Sequence, residues 1–261
     1  MLWQIRNTEV SLLGSIHVLD APLSALDPAA EQAYRAAARV VFEVALDQAP
    51  DSGPAYFPDG DQLSRHLPHA AFEQVRALWL GHGLPVAELE RLRPVFAAMH
   101  LQFALAARHG ILAEHGVDRY LWLRAAADGR LTDGLEDGNE ALRMLQAVPL
   151  AEQVAMLMFF AGQPGLAAAE PADMVRWWRQ GRAEPFAALL AQRRKQWPQT
   201  LAALVDARNR QWLPKILALA ADRVPTLIVA GALHLVGETG LPALLAAAGF
   251  EVRPALSGVD A

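Results

Sequence analysis

The most constraining feature of this 261-residue chain is the tetrad Gly-x-x-His, which occurs twice, near the two ends of the sequence. Each tetrad closes an apolar run typical of a buried β-strand, and Val10–Leu19 aligns without a gap on Leu227–Val236. Glycine at a strand exit lets the backbone approach a ligand closely, and the residue three positions on lies over the sheet edge. If both strands end on one edge of one sheet, His17 and His234 meet over a single site.

Composition limits the class of protein. Hydrophobic residues make up 53% of the chain and charged residues 20%, which is typical of a globular protein. The formal charge of -5 offers no basic surface for nucleic acid, and the absence of cysteine excludes disulfides and thiolate chemistry. We therefore expect a peptide or small-molecule substrate as partner, with a homo-oligomer left open.

No membrane or export signal stands out. The long Ala/Leu-rich stretches carry a charged residue every few positions, so no apolar run reaches the roughly 18 residues of a membrane helix. Met1–Arg6 lacks the basic start and apolar core of a signal peptide. The sequence as written therefore predicts a cytoplasmic chain without a membrane segment, although a leader removed earlier would leave no trace.

Strands and helices alternate at both ends of the sequence. Asp27 followed by proline is a helix-start signal, and the strand that follows this helix implies a parallel pair. The predicted elements are strands at Leu2–Ile5, Glu9–Leu13, Val40–Leu46, Thr226–Ala230 and Glu251–Pro254, with helices from Asp27 to about Ala38 and over Leu241–Ala248.

Helical spacing dominates the middle of the chain. It is interrupted by one short strand, Arg130–Leu135. The predicted helices are Ala70–Trp79, Pro94–Arg108, Val117–Ala127, Leu150–Ala161, Ala172–Gln180, Pro185–Gln192 and Pro198–Ala221. We predict an α/β fold in a single domain, with a mixed, largely parallel sheet from 1–50 and 222–261. A mainly helical cap from 60–221 is inserted between them, and a cleft is expected at the boundary.

Glu43 is the third residue of interest. Its neighbours within the strand Val40–Leu46 are apolar, and an unpaired carboxylate in a buried strand costs several kcal/mol. Either Glu43 reaches solvent at an edge or a cation compensates its charge. If this strand ends beside His17, the compensating group is a metal ion or the His17 imidazole, because histidine serves both as a metal ligand and as a general base.

Several short motifs, in order and spacing, resemble the TraB/GumN group, which is related to the Tiki metalloproteases and more distantly to erythromycin esterases and ChaN-like proteins. The resemblance covers nearly the whole chain, and the last motif matches best. The motifs are Leu2-Trp3, Leu13-Gly14-Ser15-Ile16-His17 with Pro22, Glu43 in its apolar strand, Gly116-Val117-Asp118, Gly134-Leu135-Glu136, Leu145 to Gln153, Trp178-Arg179-Gln180-Gly181, Asp206 to Trp212, and Gly231 to Glu238.

The resemblance to the Tiki branch implies a metallopeptidase. It implies His17, His234 and Glu43 as the core that binds a divalent transition metal (manganese, cobalt or zinc), with Arg208 and Asn209 as site partners. Such an ion lowers the pKa of a bound water, while Arg208 is expected to hold a substrate carboxylate or stabilise an oxyanion. From the residues alone, Arg208 and Asn209 equally fit an exposed helix face.

Asp118 and Glu136 are further candidate site residues. As extra oxygen ligands they would favour manganese-like over zinc-like coordination, whereas Asp118 also fits a helix-start acid and Glu136 a loop carboxylate. The remaining histidines have no paired context and are expected at the surface or in packing, as is the pair Trp177-Trp178. These histidines are His66, His69, His82, His100, His109 and His115.

Two alternatives to a metallopeptidase follow from the same residues. The esterase branch of the resemblance implies that a His/Glu pair activates water without a tightly held metal, and His17 with Glu43 supplies such a pair. A binding protein that sequesters a peptide would keep the same pocket without any chemistry. The membrane-tethered, extracellular setting of the Tiki proteins does not carry over to the sequence as written.

Overall fold

A six-stranded mixed sheet forms the centre of the computed structural model, which describes residues 1–47 and 49–255. The strands are β1 (Leu2–Ile5), β2 (Val10–Ser15), β3 (Arg39–Val44), β4 (Leu131–Glu136), β5 (Thr226–Gly231) and β6 (Val252–Pro254). Their order is β4-β3-β5-β2-β1-β6. The four strands from β4 to β2 are parallel, while β1 and β6 add antiparallel pairs at the other edge. The predicted α/β fold with a largely parallel sheet is confirmed.

One strand comes from the part of the sequence predicted as the cap. β4 pairs in parallel with β3 through most of its length and forms an edge of the sheet. The sheet is therefore wider than the two chain ends alone would make it. This matters for function, because β4 ends at Glu136 beside the end of β3.

The two tetrads lie on neighbouring parallel strands. β2 and β5 pair with Gly14 opposite Ala230 and Ser15 opposite Gly231. The tetrads are thus one residue out of register with each other, although both strands end on the same edge. Beyond β5 a short 3₁₀ turn, Ala232–Leu235, carries His234.

Twelve α-helices are formed by the described residues. They are α1 (Pro28–Ala36), α2 (His69–Gly81), α3 (Val86–Arg91), α4 (Pro94–Ala107), α5 (Val117–Ala127), α6 (Gly138–Gln146), α7 (Leu150–Gly162), α8 (Pro164–Arg179), α9 (Glu184–Gln196), α10 (Pro198–Leu201), α11 (Arg208–Ala221) and α12 (Leu241–Ala247). The helix predicted over Pro198–Ala221 contains a π-helical segment, Ala202–Ala207, between α10 and α11. That segment ends immediately before Arg208.

Both faces of the sheet are buried. Along β5, Leu227 and Val229 belong to a large apolar core that includes the middle helices, whereas Ile228 and Ala230 pack into a second core. Burial on both faces explains the continuous apolar run of β5, as expected for a central parallel strand. The second core also contains Trp212 and Ile216 of α11, so this helix packs against the sheet.

No single helix in the described parts of the chain is both long and apolar enough to cross a membrane. The pair α6 and α7 passes such a test only when taken together, and it is bent by 94°.

Candidate active site

The side chains of His17, Glu43 and His234 converge at the edge where the parallel strands end. A Cβ atom added to Gly231 would lie 3.0 Å from Glu43 Oε1, 3.7 Å from His234 Cδ2 and 3.8 Å from His17 Nε2. The backbone N–H of Gly231 itself donates to Glu43 Oε1 at 2.6 Å. Glycine is needed here because a side chain would crowd the carboxylate and fill the space that the three groups share.

His234 lies in the buried half of the site, which comprises Glu43, Glu136, Arg208, Asn209 and His234. Asn209 Nδ2 donates to the backbone carbonyls of His234 and Thr239 at 3.2 and 2.8 Å. These two bonds fix the Asn209 amide, so its Oδ1 accepts from His234 Nδ1 at 2.7 Å. His234 therefore carries its proton on Nδ1, and its Nε2 is an acceptor that lies 3.3 Å from an Arg208 nitrogen and 3.7 Å from Glu43 Oε1.

A second layer behind Asn209 connects the helices to the strand-exit loop. Asp206, in the π-helical segment, accepts from Arg194 of α9 through both carboxylate oxygens, at 3.0 and 2.8 Å. The Thr239 hydroxyl donates to Asp206 Oδ1 at 2.6 Å, which holds the carbonyl that Asn209 uses. Sequence analysis missed Arg194 and Thr239, and Asp206 appeared there only as part of a motif.

Arg208 is the cation that compensates Glu43. Its guanidinium donates to Glu43 Oε2 at 2.6 Å and to Glu136 Oε1 at 2.7 Å. A third nitrogen lies 3.2 Å from the Leu204 carbonyl and 3.3 Å from His234 Nε2. The residues alone predict a metal ion or His17 as a cation that balances Glu43, and the family resemblance implies that Arg208 contacts substrate. Because its donors are taken up within the protein, Arg208 fits a positioning role.

The buried half holds its charges in fixed states. Burial by itself would raise the pKa of the Glu43 carboxyl, but the neighbouring His234, Arg208 and His17 outweigh it and hold that pKa below its ordinary range. Burial lowers the pKa of His234 to about 4, so this imidazole is neutral at pH 7. Burial also raises the pKa of Glu136, whose side chain is only 2% exposed, against the opposing effect of Arg208.

His17 and Asp118 form the open half of the site. His17 Nδ1 lies 3.2 Å from Asp118 Oδ2, and the His17 side chain is 56% exposed. The Asp118 carboxylate raises the pKa of His17 to about 9, so the free protein carries a protonated His17 at pH 7. Asp118 is the first-turn acid of α5, as the simpler interpretation expected, and it also contacts the site.

A cavity of about 250 Å³ opens beside the open half; we call it the strand-end cavity. Its lining residues are Ser15, His17, Phe42, Glu43, Val44, Leu46 and Asp118. Glu136 lines a different cavity, together with residues of β4 and the start of α6. The structure therefore brings all seven predicted site residues to one region, but Glu136 does not share a cavity with His17, Glu43 and Asp118.

Other side chains confirm or extend the sequence analysis. Trp178 donates to the Gly14 carbonyl at 2.7 Å, and Trp177 packs against Phe186, which agrees with packing roles. Trp212, quoted only within a motif, has its ring centroid 4.5 Å from that of His234, with the two ring planes tilted by 40°. The six other histidines, at positions 66 to 115, are half-buried or exposed, as expected.

The donor chemistry of the site fits a divalent metal ion. Each imidazole is held through Nδ1 by an acceptor, Asp118 or Asn209, and turns Nε2 toward the Glu43 side, which is the usual outer-shell pattern of metal-binding histidine. Glu43 and Glu136 pair with the guanidinium of Arg208, and Asp118 pairs with His17. Within residues 1–47 and 49–255, however, no three acidic or histidine side chains stand at metal-site spacing.

The family model described as TraB/PrgY/gumN matches residues 1–254. The chain belongs to the TraB/PrgY/gumN family. No curated protein and no solved structure matches it. The match contains both tetrads and every residue of the buried and open halves, so the site lies wholly within the TraB/PrgY/gumN match; the relation to Tiki proteins stays a prediction.

Proposed function

We propose that this chain is a hydrolase whose catalytic groups are His17, Glu43 and His234. The observation that carries the proposal is their convergence within 4 Å of the position of a Cβ on Gly231, although Glu43 lies in β3 and the two histidines follow β2 and β5. Two oriented imidazoles around a carboxylate are the groups needed to activate a water molecule. The choice of a peptide as substrate rests on the resemblance to Tiki metalloproteases.

A divalent transition metal is the proposed cofactor, held by His17, His234 and Glu43. When bound, such an ion lowers the pKa of water toward neutrality and polarises the carbonyl group that is attacked. The support for it is chemical: two outer-shell acceptors orient the imidazoles, and the Glu43 carboxylate lies between the two rings.

The remaining side chains prepare the site for the reaction. Arg208 holds the Glu43 carboxylate in place and keeps it ionised, so that Glu43 can bind a cation or accept a proton from water. Asn209 fixes the tautomer that leaves His234 Nε2 free to accept. Asp118 holds the His17 ring through Nδ1, which leaves Nε2 on the side of Gly231.

A metal-independent hydrolase is the second candidate. The contact between Arg208 and His234 Nε2 at 3.3 Å favours it, because a guanidinium there competes with an ion for the same lone pair. In this candidate His17, oriented by Asp118, is the general base that takes the proton from water. Its raised pKa means that this base is free mainly above pH 9.

The test combines elemental analysis with peptide cleavage, on protein purified without chelator. The metal-dependent hydrolase predicts about one transition-metal ion per chain and cleavage of a mixed quenched-fluorescent peptide library. His17→Ala and His234→Ala should each lose both properties. His69→Ala, which removes an exposed histidine at the start of α2, is the matched control and should lose neither.

The other outcomes separate the candidates. Cleavage that survives exhaustive chelation but is lost in His17→Ala supports the metal-independent hydrolase. Tight peptide binding without any product by mass spectrometry supports the sequestering protein and contradicts a hydrolase. Metal content and cleavage unchanged in both histidine variants would contradict the assignment of the site itself.

A further inference from the structure

The strand-end cavity has one apolar wall that the proposed chemistry does not use. Phe42, Val44 and Leu46 are spaced two residues apart along β3 and the turn after it, and all three line the cavity. Phe42 is held rigidly, because its ring packs edge-on against Trp122 at 5.0 Å. Leu46 is 46% exposed, although it is a large apolar side chain at the cavity rim.

The polar side of the same cavity bears the open half of the site. His17 and Glu43 lie at the cavity surface, so a group that fills the apolar wall is held directly beside the proposed catalytic groups. An apolar wall with a few convergent polar groups is the usual construction of a small-ligand pocket. The volume of about 250 Å³ suits one large side chain better than a long segment of peptide.

The charge of the lining selects against acidic groups. Its charged side chains are Glu43, Asp118 and His17, so two carboxylates face one imidazole. That imidazole is already paired with Asp118, and the guanidinium of Arg208 is buried and bound to Glu43 and Glu136. An anionic substrate side chain would meet carboxylates without a free cation among these groups, and it would therefore be repelled.

We propose that the strand-end cavity is a specificity pocket that takes an uncharged, apolar side chain, such as leucine, from the substrate residue next to the bond that is cleaved. The proposal rests on the hydrolase function proposed above and names its substrate class. Leu46 is the residue that sets the preference at the rim, and Phe42 forms the fixed wall. A cationic side chain is the competing occupant, because the carboxylates of Glu43 and Asp118 both line the cavity.

The test uses peptides that differ at one residue, leucine, glycine, aspartate or lysine, next to the cleaved bond. Wild-type protein should cleave the leucine peptide with kcat/KM at least about tenfold above the aspartate, glycine and lysine peptides, the order that one buried apolar group provides. Leu46→Asp should remove most of that preference. Leu80→Asp is the matched control, because Leu80 on α2 is 49% exposed and does not line the cavity.

Equilibrium binding of the same four peptides separates this inference from the hydrolase function. One outcome is that no peptide is cleaved, the leucine peptide binds most tightly, and Leu46→Asp weakens its binding. The specificity pocket is then supported and the hydrolase function is contradicted. Preference for lysine or aspartate, equal treatment of all four peptides, the same loss in Leu80→Asp, or no measurable peptide binding or cleavage would overturn the pocket.

Discussion

The two histidines of the duplicated tetrad occupy opposite environments. His234 is 7% exposed, neutral, and fixed by an amide in the buried half, whereas His17 is 56% exposed, protonated, and paired with a carboxylate in the open half. The same sequence pattern therefore positions both rings at one edge but does not set their charge. Charge is set by long-range neighbours, and the open half is the one left for substrate.

The largest expected difference between the halves concerns stability. Arg208→Met leaves the buried carboxylates of Glu43 and Glu136 without their cation, which should cost about 3–5 kcal/mol in the free energy of unfolding. Urea denaturation measures this change. The control Arg35→Met removes an arginine that is exposed on α1, and a loss below ~0.5 kcal/mol is expected. Equal losses in the two variants would contradict the buried ion network.

The two halves should also respond oppositely to pH. The folded pKa of His234 is depressed to about 4, below the ordinary value near 6.5, so the unfolded chain binds its proton first as pH falls. As pH falls from 6.5 to 4, this difference in proton binding lowers the free energy of unfolding by roughly 3 kcal/mol. His17 has a raised pKa, so its contribution is complete below pH 6.5 and is lost as pH rises through about 9.

Denaturation of the wild type and of His234→Asn at pH 4, 5, 6 and 7 checks the acid window. The variant should show a shallower loss of stability over this range, because both of its states bind the same number of protons at position 234. Parallel curves for the two proteins would mean that His234 is not buried in its neutral form.

A smaller effect is expected from the layer behind His234. Thr239→Val removes the hydroxyl that donates to Asp206 and loosens the carbonyl that fixes Asn209, at a cost of about 1 kcal/mol. The nitrogen chemical shifts of His234 in an NMR spectrum should then show a mixture of tautomers in place of the Nδ1–H form. Thr132→Val, at a half-buried position on the edge strand β4, should leave those shifts unchanged.

The smallest effect on stability is expected in the open half, where a substitution should nevertheless shift the pH dependence of kcat/KM. Asp118→Asn should change stability by less than about 1 kcal/mol, because the pair is partly exposed. The pKa of His17 should fall from about 9 toward 6.5, and the rise of kcat/KM with pH should move with it. Asp173→Asn, in a surface pair of α8, should leave the profile in place. If the rise of kcat/KM with pH occurs at the same pH in Asp118→Asn as in the wild type, a group other than His17 controls that rise.

The local features of this site could be predicted from the sequence. Apolar runs ending in Gly14 and Gly231 predicted two buried strands, and parallel strands that end together bring His17 and His234 to one edge. The isolated charge of Glu43 predicted either access to solvent or a compensating cation, and the structure shows the second, with Arg208 as the cation in place of a metal ion or His17. These inferences succeed because they depend on short-range pattern and on the cost of burying a charge.

The remaining features depend on pairing that a single sequence does not encode locally. Nothing near Arg208 indicates that its partners are Glu43 and Glu136, 165 and 72 residues away. The π-helical segment Ala202–Ala207 has the composition of an ordinary helix, so its extra residue per turn was missed. The pairing of β4 with β3 likewise became visible only in the sheet.

The most direct test of the central claim is a double-mutant cycle on kcat/KM for the cleaved leucine peptide, with His17→Ala, His234→Ala and the double variant. If both imidazoles serve one site with Glu43, each single variant loses most of its kcat/KM. The kcat/KM of the double variant then lies no more than about tenfold below that of the less active single variant. Losses that multiply fully in the double variant would show two independent roles and would contradict a single site at the strand ends.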